Sequence, residues 1–157
     1  MVFSSALFLS LFFPVFLLLY VLSPTKAKNW TALIGSTIFY AWGAPLFVFV
    51  VFASMWVDFW MVSKISTSKN SKGLVALSVL LNVGLLAYFK YSNFFVENLN
   101  SVLNTAGVEA VAWTSVALPI GISFFTFQKL SYVIDVYRGK HSSLKYFSDY
   151  ALYIILF

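Results

Sequence analysis

The segment Leu118–Gly139, LPIGISFFTFQKLSYVIDVYRG, carries polar side chains in a stretch that is otherwise apolar enough for a lipid bilayer. A charge in the bilayer core costs about 3 kcal/mol on insertion scales, so such residues usually face a bundle interior, a cavity or the membrane interface. On a helix that starts at Pro119, four polar residues recur at i, i+3, i+7 and i+10 and share one face: Gln128, Ser131, Asp135 and Arg138. The spacing predicts a polar stripe, and Lys129 adds a charge next to Gln128.

The composition of the chain is that of a membrane protein. Hydrophobic residues make up 61% of the 157 residues and charged residues 10%, and the mean hydropathy is +0.90. A water-soluble domain could not cover that much apolar sequence with polar surface. Cysteine is absent, which excludes disulfides, thiolate metal sites and a cysteine nucleophile. The lysines form short clusters between apolar runs, so the net charge of +5 indicates anionic lipid headgroups rather than nucleic acid.

Six apolar runs alternate with polar connections, and each run is a candidate membrane-embedded helix. They cover residues 2–22, 30–42, 45–62, 73–89, 115–134 and 146–157. The first run is uncharged and long enough to span a bilayer, with a signal peptide as the rival interpretation. We expect Pro14 to kink or break this run and Gly43–Pro45 to separate the second run from the third. The mixed region 91–114 predicts an interfacial helix followed by a loop around Gly107.

These runs predict an all-α fold, a polytopic transmembrane helical bundle that forms a single domain over residues 1–157. Only helices satisfy their own backbone hydrogen bonds when this much apolar sequence lies in lipid. The connections 23–29, 64–72 and 138–145 are basic, whereas 91–114 has two glutamates and no Lys or Arg. The positive-inside rule therefore places the basic connections in the cytoplasm and the amino terminus outside. Because the last run is short for a span, we expect a chain truncated at its carboxyl end.

Three stretches resemble landmarks of the membrane-bound O-acyltransferase (MBOAT) family. They are Gln128 with the VIDVYRG that follows it, FYAWGAPLF at Phe39–Phe47, and YFKYSNFF at Tyr88–Phe95. The opening MVFSS at Met1–Ser5 is similar to the start of alginate O-acetylation proteins, which form a bacterial branch of the family. The matches follow the order of the family over nearly the whole chain. The resemblance implies the amino-terminal part of an acyltransferase of this kind.

The resemblance also implies a reaction and a set of partners. In this family an acyl group passes from a thioester donor, acyl-CoA or an acyl carrier protein, to a hydroxyl acceptor, which in this branch is an exopolysaccharide outside the cell. The implied location is the bacterial cytoplasmic (inner) membrane, in a multi-pass protein that contacts membrane lipid and further acetylation proteins, and no nucleic acid. The histidine taken as catalytic in the family lies beyond Phe157, so residues 1–157 alone are expected to be inactive.

Two alternatives stay open at this point. A D-alanyl transferase of the same family would share these motifs and differ in its donor protein. A non-enzymatic transporter or export subunit fits the composition, because broken helices and intramembrane polar residues are common in transporters.

The candidates for a substrate path are Gln128, Lys129, Asp135 and Arg138. The Gln128 amide could donate to an acyl carbonyl and accept from a sugar hydroxyl, and a hydrogen bond between helices explains it equally well. Lys129 could attract an anionic thioester donor, or it could snorkel to the headgroups or pair inside the bundle. Asp135 and Arg138, spaced i and i+3, could clamp a substrate or orient a helical junction.

Other polar residues are assigned structural roles. Asp58 lies between Trp56 and Trp60 and is expected in an interfacial aromatic belt. Asn82 is expected to hydrogen-bond between helices. His141, the only histidine, lies among basic and hydroxyl side chains in a solvated loop, so we assign no catalytic residue within the chain. The sequence has no compact metal-ligand spacing and no Gly-rich phosphate loop, and it predicts no cofactor.

Overall fold

The chain forms a helical structure, seen in a computed structural model that describes residues 6–65, 68, 71–119 and 121–156. No strand occurs in that part of the chain, so the predicted all-α class is confirmed. A π-helical turn at Phe8–Phe12 precedes six α-helices, which are α1 Phe13–Leu22, α2 Lys28–Gly43, α3 Pro45–Ile65, α4 Ser71–Thr105, α5 Ile122–Tyr137 and α6 Phe147–Ile155. The MVFSS opening, Lys69 and Phe157 lie outside the described residues.

Two of the helices, α3 and α4, are long and apolar enough to cross a membrane by length and composition. Their outward surfaces are apolar, with Leu46, Phe49 and Leu80 all more than two-thirds exposed. Large apolar side chains at such exposure are stable against lipid rather than water. The chain is therefore a membrane protein.

The first helical stretch continues through Pro14, where we expected a kink or a break, so the helix is not broken there. Residues 6–22 are helical throughout, and the Phe13 N–H donates to the carbonyl oxygen of Phe8, five residues back. This π turn lies directly before the proline, and local π adjustments of this kind re-satisfy the backbone groups that a proline frees within a membrane helix. The stretch ends at Ser23, whose extended backbone is the conformation favoured before Pro24.

The division between α2 and α3 falls at Ala44, between Gly43 and Pro45. Ala44 has φ −153° and ψ 70°, outside the helical region. The ring of Pro45 disfavours helical geometry in the residue before it, and Pro45 itself suits the first position of a new helix. The local chemistry of these residues is enough to end one helix and begin the next.

Helix α4 corrects the prediction of a short run at 73–89 followed by a separate interfacial helix. It continues for 35 residues to Thr105, a length of about 52 Å. No proline interrupts this stretch, and its asparagines, the buried Asn82 among them, do not break the helix. The end is a Schellman motif, in which the Val108 N–H donates to Leu103 O and Gly107 takes φ +70°. The loop expected around Gly107 is present.

Helix α5 begins later than the apolar run 115–134 and the Pro119 start had suggested. Residues 108–119 are irregular, and the helix begins at Ile122 after Gly121, which has φ +77°. A left-handed residue cannot lie within an α-helix, so Gly121 delays the start of α5.

Two asparagines of α4 hold the irregular segment against that helix. The Asn93 amide donates to Val116 O and accepts from Val116 N–H, both at 2.8 Å. Asn100 makes the same pair of bonds with Val111, at 3.1 and 2.8 Å. Each asparagine side chain thus satisfies the backbone N–H and C=O of a residue that lies outside the helices and has no helical hydrogen bond.

The packed core lies where α3 meets α2, α5 and α6. It contains Met55 of α3, Val133 of α5, and Tyr150 and Ile154 of α6, all fully buried. Helix α3 contacts α2, α4, α5 and α6, so it is the central helix of the bundle. Polar groups on the inward faces of α3, α4 and α5 are consequently enclosed by protein.

Candidate functional site

A buried ion pair links α3 to α5. Lys129 Nζ lies 3.3 Å from Asp58 Oδ2, and the two side chains are 2% and 3% exposed. Lys129 Nζ also donates to Ser54 Oγ at 2.9 Å, and that hydroxyl donates to the Val51 carbonyl at 2.8 Å. Ser54 and Asp58 are four residues apart and share one face of α3. The lysine ammonium is therefore held by two side chains of the same helix.

Helix α4 completes the coordination of the Asp58 carboxylate. Ser78 Oγ donates to Asp58 Oδ1 at 2.8 Å. Asn82 Nδ2 lies 2.7 Å from the same oxygen and 2.9 Å from Oδ2. The carboxylate thus meets a hydroxyl, an amide and an ammonium group, which is the compensation that a buried charge requires. Five side chains from three helices form this buried polar network, which comprises Ser54, Asp58, Ser78, Asn82 and Lys129.

The position of Asp58 corrects its assignment to an interfacial aromatic belt. The neighbouring Trp56 and Trp60 are 61% and 56% exposed, whereas Asp58 is 2% exposed. Residues two apart on a helix point in nearly opposite directions, so the tryptophans face outward while the carboxylate faces the core. Polar pairs at i and i+4 in two consecutive apolar runs, Ser54 with Asp58 and Ser78 with Asn82, are the sequence signal for this network.

The structure separates the substrate-path candidates rather than bringing them together. Lys129 lies on the buried face of α5, and its pairing inside the bundle is one of the two structural roles considered for it. The polar stripe lies on another face, where Ser131 and Arg138 are exposed and Gln128 and Asp135 are half-buried. Gln128 Oε1 is itself buried and has no hydrogen-bond partner within the described residues.

Asp135 forms its ion pair across the following turn rather than with Arg138. Lys140 Nζ lies 3.3 Å from Asp135 Oδ1, and the two side chains are 58% and 30% exposed. Within the described residues, the ion-pair partner of Asp135 is thus Lys140 rather than Arg138. An exposed pair of this kind contributes less than about 1 kcal/mol to stability.

A cleft of about 390 Å³ opens beside Asp135 at the loop between α5 and α6. His141, Tyr132 and Tyr153 also line it. The Leu144 N–H donates to Tyr132 Oη at 2.8 Å, which fastens the loop to α5. Of the four substrate-path candidates, Asp135 is the one that lines this cleft.

The geometry of the buried polar network suits it to positioning helices. Within them, no group of three or more His, Asp or Glu side chains could hold a metal ion. The Asp58 carboxylate and the Lys129 ammonium are neutralised by each other and by neutral donors and acceptors. A small cavity of about 150 Å³ adjoins Asp58 and Asn82. The network fixes α5 relative to α3 and α4.

Comparison with known proteins gives matches over the whole chain. Probable alginate O-acetylase AlgI of Azotobacter vinelandii is 39% identical over 161 residues, which cover 100% of this chain and 32% of that protein. The protein of the same name from Pseudomonas putida is 40% identical and is covered to 33% of its length. A peptidoglycan O-acetyltransferase of Helicobacter pylori is 29% identical over 196 residues, with 35% of that protein covered.

The chain spans about a third of the length of the curated relatives that it matches. No protein-family model and no solved structure matches it.

Proposed function

We propose that this chain, which is related over all of its residues to the alginate O-acetylases, acts in a membrane-bound O-acyltransferase that transfers an acetyl group to hydroxyls of an extracytoplasmic polysaccharide. The relationship confirms the resemblance that the sequence motifs indicated. The observation that carries the proposal is the 40% identity to an alginate O-acetylase across the whole chain. The proposed activity belongs to the complete protein in which these residues act.

The proposed location is the bacterial cytoplasmic (inner) membrane, in a multi-pass protein. Helices α3 and α4 supply two apolar segments of spanning length. The basic connections 23–29 and 138–145 favour the cytoplasmic side, where anionic lipids attract lysine and arginine. This orientation puts the acyl donor and the polysaccharide acceptor on opposite sides of the bilayer.

The proposed donor is an acyl thioester carried by coenzyme A or by an acyl carrier protein. Both carriers are anionic. The basic residues Arg138, Lys140 and Lys145 lie between α5 and α6, and their positive charges attract anions over about a Debye length. The cleft at Asp135 and His141 opens in this same loop. Further proteins of an acetylation machinery would deliver the acyl group or present the polysaccharide.

We propose that Gln128, Asp135 and Arg138 line a substrate path along α5, and that Lys129 instead positions that helix. The Gln128 side chain supports a role in the path, because its buried Oε1 has no partner in the described part of the chain. This oxygen can accept a hydrogen bond from a hydroxyl group. Lys129 is already held by Asp58 and Ser54. Acyl transfer also needs a base for the acceptor hydroxyl and donors for the developing oxyanion. From the resemblance, we propose that this base lies outside residues 1–157.

The test is removal of the gene followed by analysis of the polysaccharide. Ester-linked acetate on secreted polysaccharide is measured by proton NMR in the parent strain, in the deletion strain and in the deletion strain with the gene restored. Loss of acetate in the deletion strain and its return on restoration are the expected results. A restored gene that carries Leu80→Ala, a change at an outward apolar site of α4, is the matched control and should behave like the parent gene.

Other outcomes identify the alternatives. Loss of D-alanyl esters with unchanged acetate would indicate a D-alanyl transferase. Loss of secreted polysaccharide with an unchanged acetate content per sugar would indicate an export subunit. Loss of acetate from peptidoglycan alone would indicate peptidoglycan as the acceptor, in line with the name of the Helicobacter pylori relative. Peptidoglycan is a weaker candidate than alginate because that relative is 29% identical.

A further inference from the structure

An apolar groove of about 600 Å³ runs between α1 and α2. One wall extends from Leu7, just before the π-helical turn, along α1 to Ser23. The other wall lies on α2 and extends from Thr31 to Trp42. Apart from Ser23 and Thr31 at one end, the side chains that line it are apolar, and Leu11, Val15 and Ile38 among them are exposed. The groove therefore offers a long apolar surface with hydroxyl groups only where the two helices are joined.

The dimensions of the groove match a lipid acyl chain. The stretch from Leu7 to Ser23 rises about 24 Å, which exceeds the depth of one leaflet, about half of the hydrocarbon thickness of about 30 Å, so one acyl chain fits along it. The volume of about 600 Å³ falls within the range of about 300–1,000 Å³ typical of small-molecule sites. An elongated ligand without polar groups along most of its length would fill the space without leaving an unsatisfied hydrogen bond.

The floor of the groove is closed by a close approach of the two helices. A Cβ atom built on Gly35 would lie 2.5 Å from the ring of Phe16, so only glycine fits under that ring. Small residues of this kind let membrane helices pack closely. The ring and the backbone together make a continuous surface on which a chain can lie.

Polar and basic groups gather at the connected end of the same groove. Ser23 Oγ and Thr31 Oγ1 lie 2.7 Å apart, and these hydroxyls also donate to the carbonyl oxygens of Leu19 and Ala27, at 2.7 and 3.1 Å. Lys28 Nζ lies 5.4 Å from the centre of the Tyr20 ring, three residues before Ser23 on α1. Lys26 is exposed in the connection between the helices. Two ammonium groups and two hydroxyl groups thus mark one end of an otherwise apolar groove.

The acidic side chain found near this end lies on the other face of α2. Asp149 accepts a 3.4 Å hydrogen bond from Asn29, which lies on the side of α2 that packs on α6. Thr31 and Ile34, by contrast, belong to the groove side. The bond to Asn29 therefore holds Asp149 on the α6 side of α2, away from the lining of the groove.

We propose that this groove binds one acyl chain of an anionic phospholipid, whose phosphate lies at the end formed by Ser23, Thr31, Lys26 and Lys28. Charge complementarity selects an anionic headgroup, and the apolar lining along the rest of the groove selects a lipid over a soluble anion. The cytoplasmic leaflet, where basic connections reside, is also the leaflet rich in anionic lipid. The site does not depend on the acyl-transfer reaction.

The experiment is photo-crosslinking in vesicles of phosphatidylcholine that contain a minor fraction of phosphatidylglycerol. A photoreactive amino acid replaces Ile34 in the groove or, as a control, Leu80 on the outer face of α4, in the full-length protein that contains these residues. Mass spectrometry of the adducts gives the lipid composition at each position. At position 34 we expect phosphatidylglycerol enriched several-fold over its vesicle fraction, and at position 80 we expect the vesicle fraction itself.

Charge variants separate a specific site from general contact with lipid. The double variant Lys26→Gln with Lys28→Gln should reduce the enrichment at position 34 to the level at position 80. Lys72→Gln with Lys145→Gln removes the same charge elsewhere and should leave the enrichment unchanged. Ser23→Ala with Thr31→Val keeps the charge, removes hydroxyls whose protons are already donated within the protein, and should leave most of the enrichment.

Three results would overturn the proposal. One is an adduct composition at position 34 equal to that of the vesicle, which means non-selective lipid. Another is an enrichment that survives Lys26→Gln with Lys28→Gln in protein of unchanged membrane abundance. The last is an adduct between position 34 and a peptide of the same protein, which would show that protein fills the groove.

Discussion

Lys129 Nζ and Asp58 Oδ2 lie 3.3 Å apart in a site enclosed by three helices. Each residue is the main charge partner of the other, and neither reaches solvent. An uncompensated buried charge costs several kcal/mol, whereas a matched neutral pair of similar volume is often tolerated. The two residues are therefore expected to respond to substitution as a unit.

Removal of one member of this ion pair should destabilise the protein more than removal of both. Asp58→Asn and Lys129→Met alone should each cost about 3–5 kcal/mol, because each leaves a buried charge without its partner. The double variant should recover a large part of that loss. Thermal unfolding in detergent, followed by fluorescence, measures the three variants against the parent protein.

The exposed pair is the matched control for that experiment. Lys140→Gln breaks the pair with Asp135 and should change stability by less than about 1 kcal/mol. Single-variant losses at Asp58 and Lys129 that simply add in the double variant would contradict the coupling of the buried pair.

Substitution of the polar stripe on α5 should lower acyl transfer and leave the amount of protein in the membrane unchanged. Gln128→Leu, Asp135→Asn and Arg138→Gln are each expected to reduce acetate on polysaccharide about ten-fold, equivalent to about 1.4 kcal/mol in the transition state. The reason is that each substitution removes a group that we propose to contact substrate, at a half-buried or exposed position. Acetate per sugar and immunoblots of membranes give the two readouts.

Lys140→Gln again provides the control, because it frees Asp135 from its ion pair without removing the carboxylate. If Lys140→Gln reduced transfer as much as Asp135→Asn, the ion pair rather than the Asp135 carboxylate would be the important feature. A parallel fall in abundance and transfer would assign the stripe a structural role.

Loss of the Asn93 amide should release the segment 108–119 from α4. Asn93→Ala leaves both backbone groups of Val116 and the indole N–H of Trp113 without their present partner. Unsatisfied groups of this kind cost about 1–3 kcal/mol each when they stay buried, so the segment should open to solvent instead. Hydrogen–deuterium exchange is expected to accelerate over 108–119.

Asn98→Ala is the matched control, since the Asn98 amide bonds only to Phe94 O within its own helix. It should leave exchange over 108–119 unchanged. Equal acceleration in both variants would mean that the asparagines support α4 and do not hold the segment.

Two glycines in helices should respond in opposite directions to alanine. Gly35→Ala places a methyl group 2.5 Å from the ring of Phe16 and should lower the unfolding temperature. Gly84→Ala meets nothing within 4 Å in α4 and should raise stability by up to about 1 kcal/mol, because alanine loses less entropy in a helix. Thermal unfolding of the two variants makes the comparison.

Phe16→Leu combined with Gly35→Ala tests the cause, because a smaller side chain can move aside for the new methyl group. Partial recovery is expected. Equal destabilisation by Gly35→Ala and Gly84→Ala would contradict a specific contact between α1 and α2.

The sequence by itself determined the features that depend on local chemistry. Apolar runs require helices in lipid, Pro45 separates two of them, and Gly107 ends α4 because a left-handed residue suits a helix end. The motifs likewise indicated the relationship to alginate O-acetylases, since identity is a property of the sequence.

Only the tertiary structure decided how those helices meet. Apolar periodicity does not distinguish a helix face that contacts lipid from one that contacts protein, so the sequence could not show that Asp58 faces Lys129. Similarly, nothing local to Asn93 reveals that Val116 returns to it, because that bond depends on the path of the loop between them. The contacts between residues far apart in sequence therefore require the packed chain.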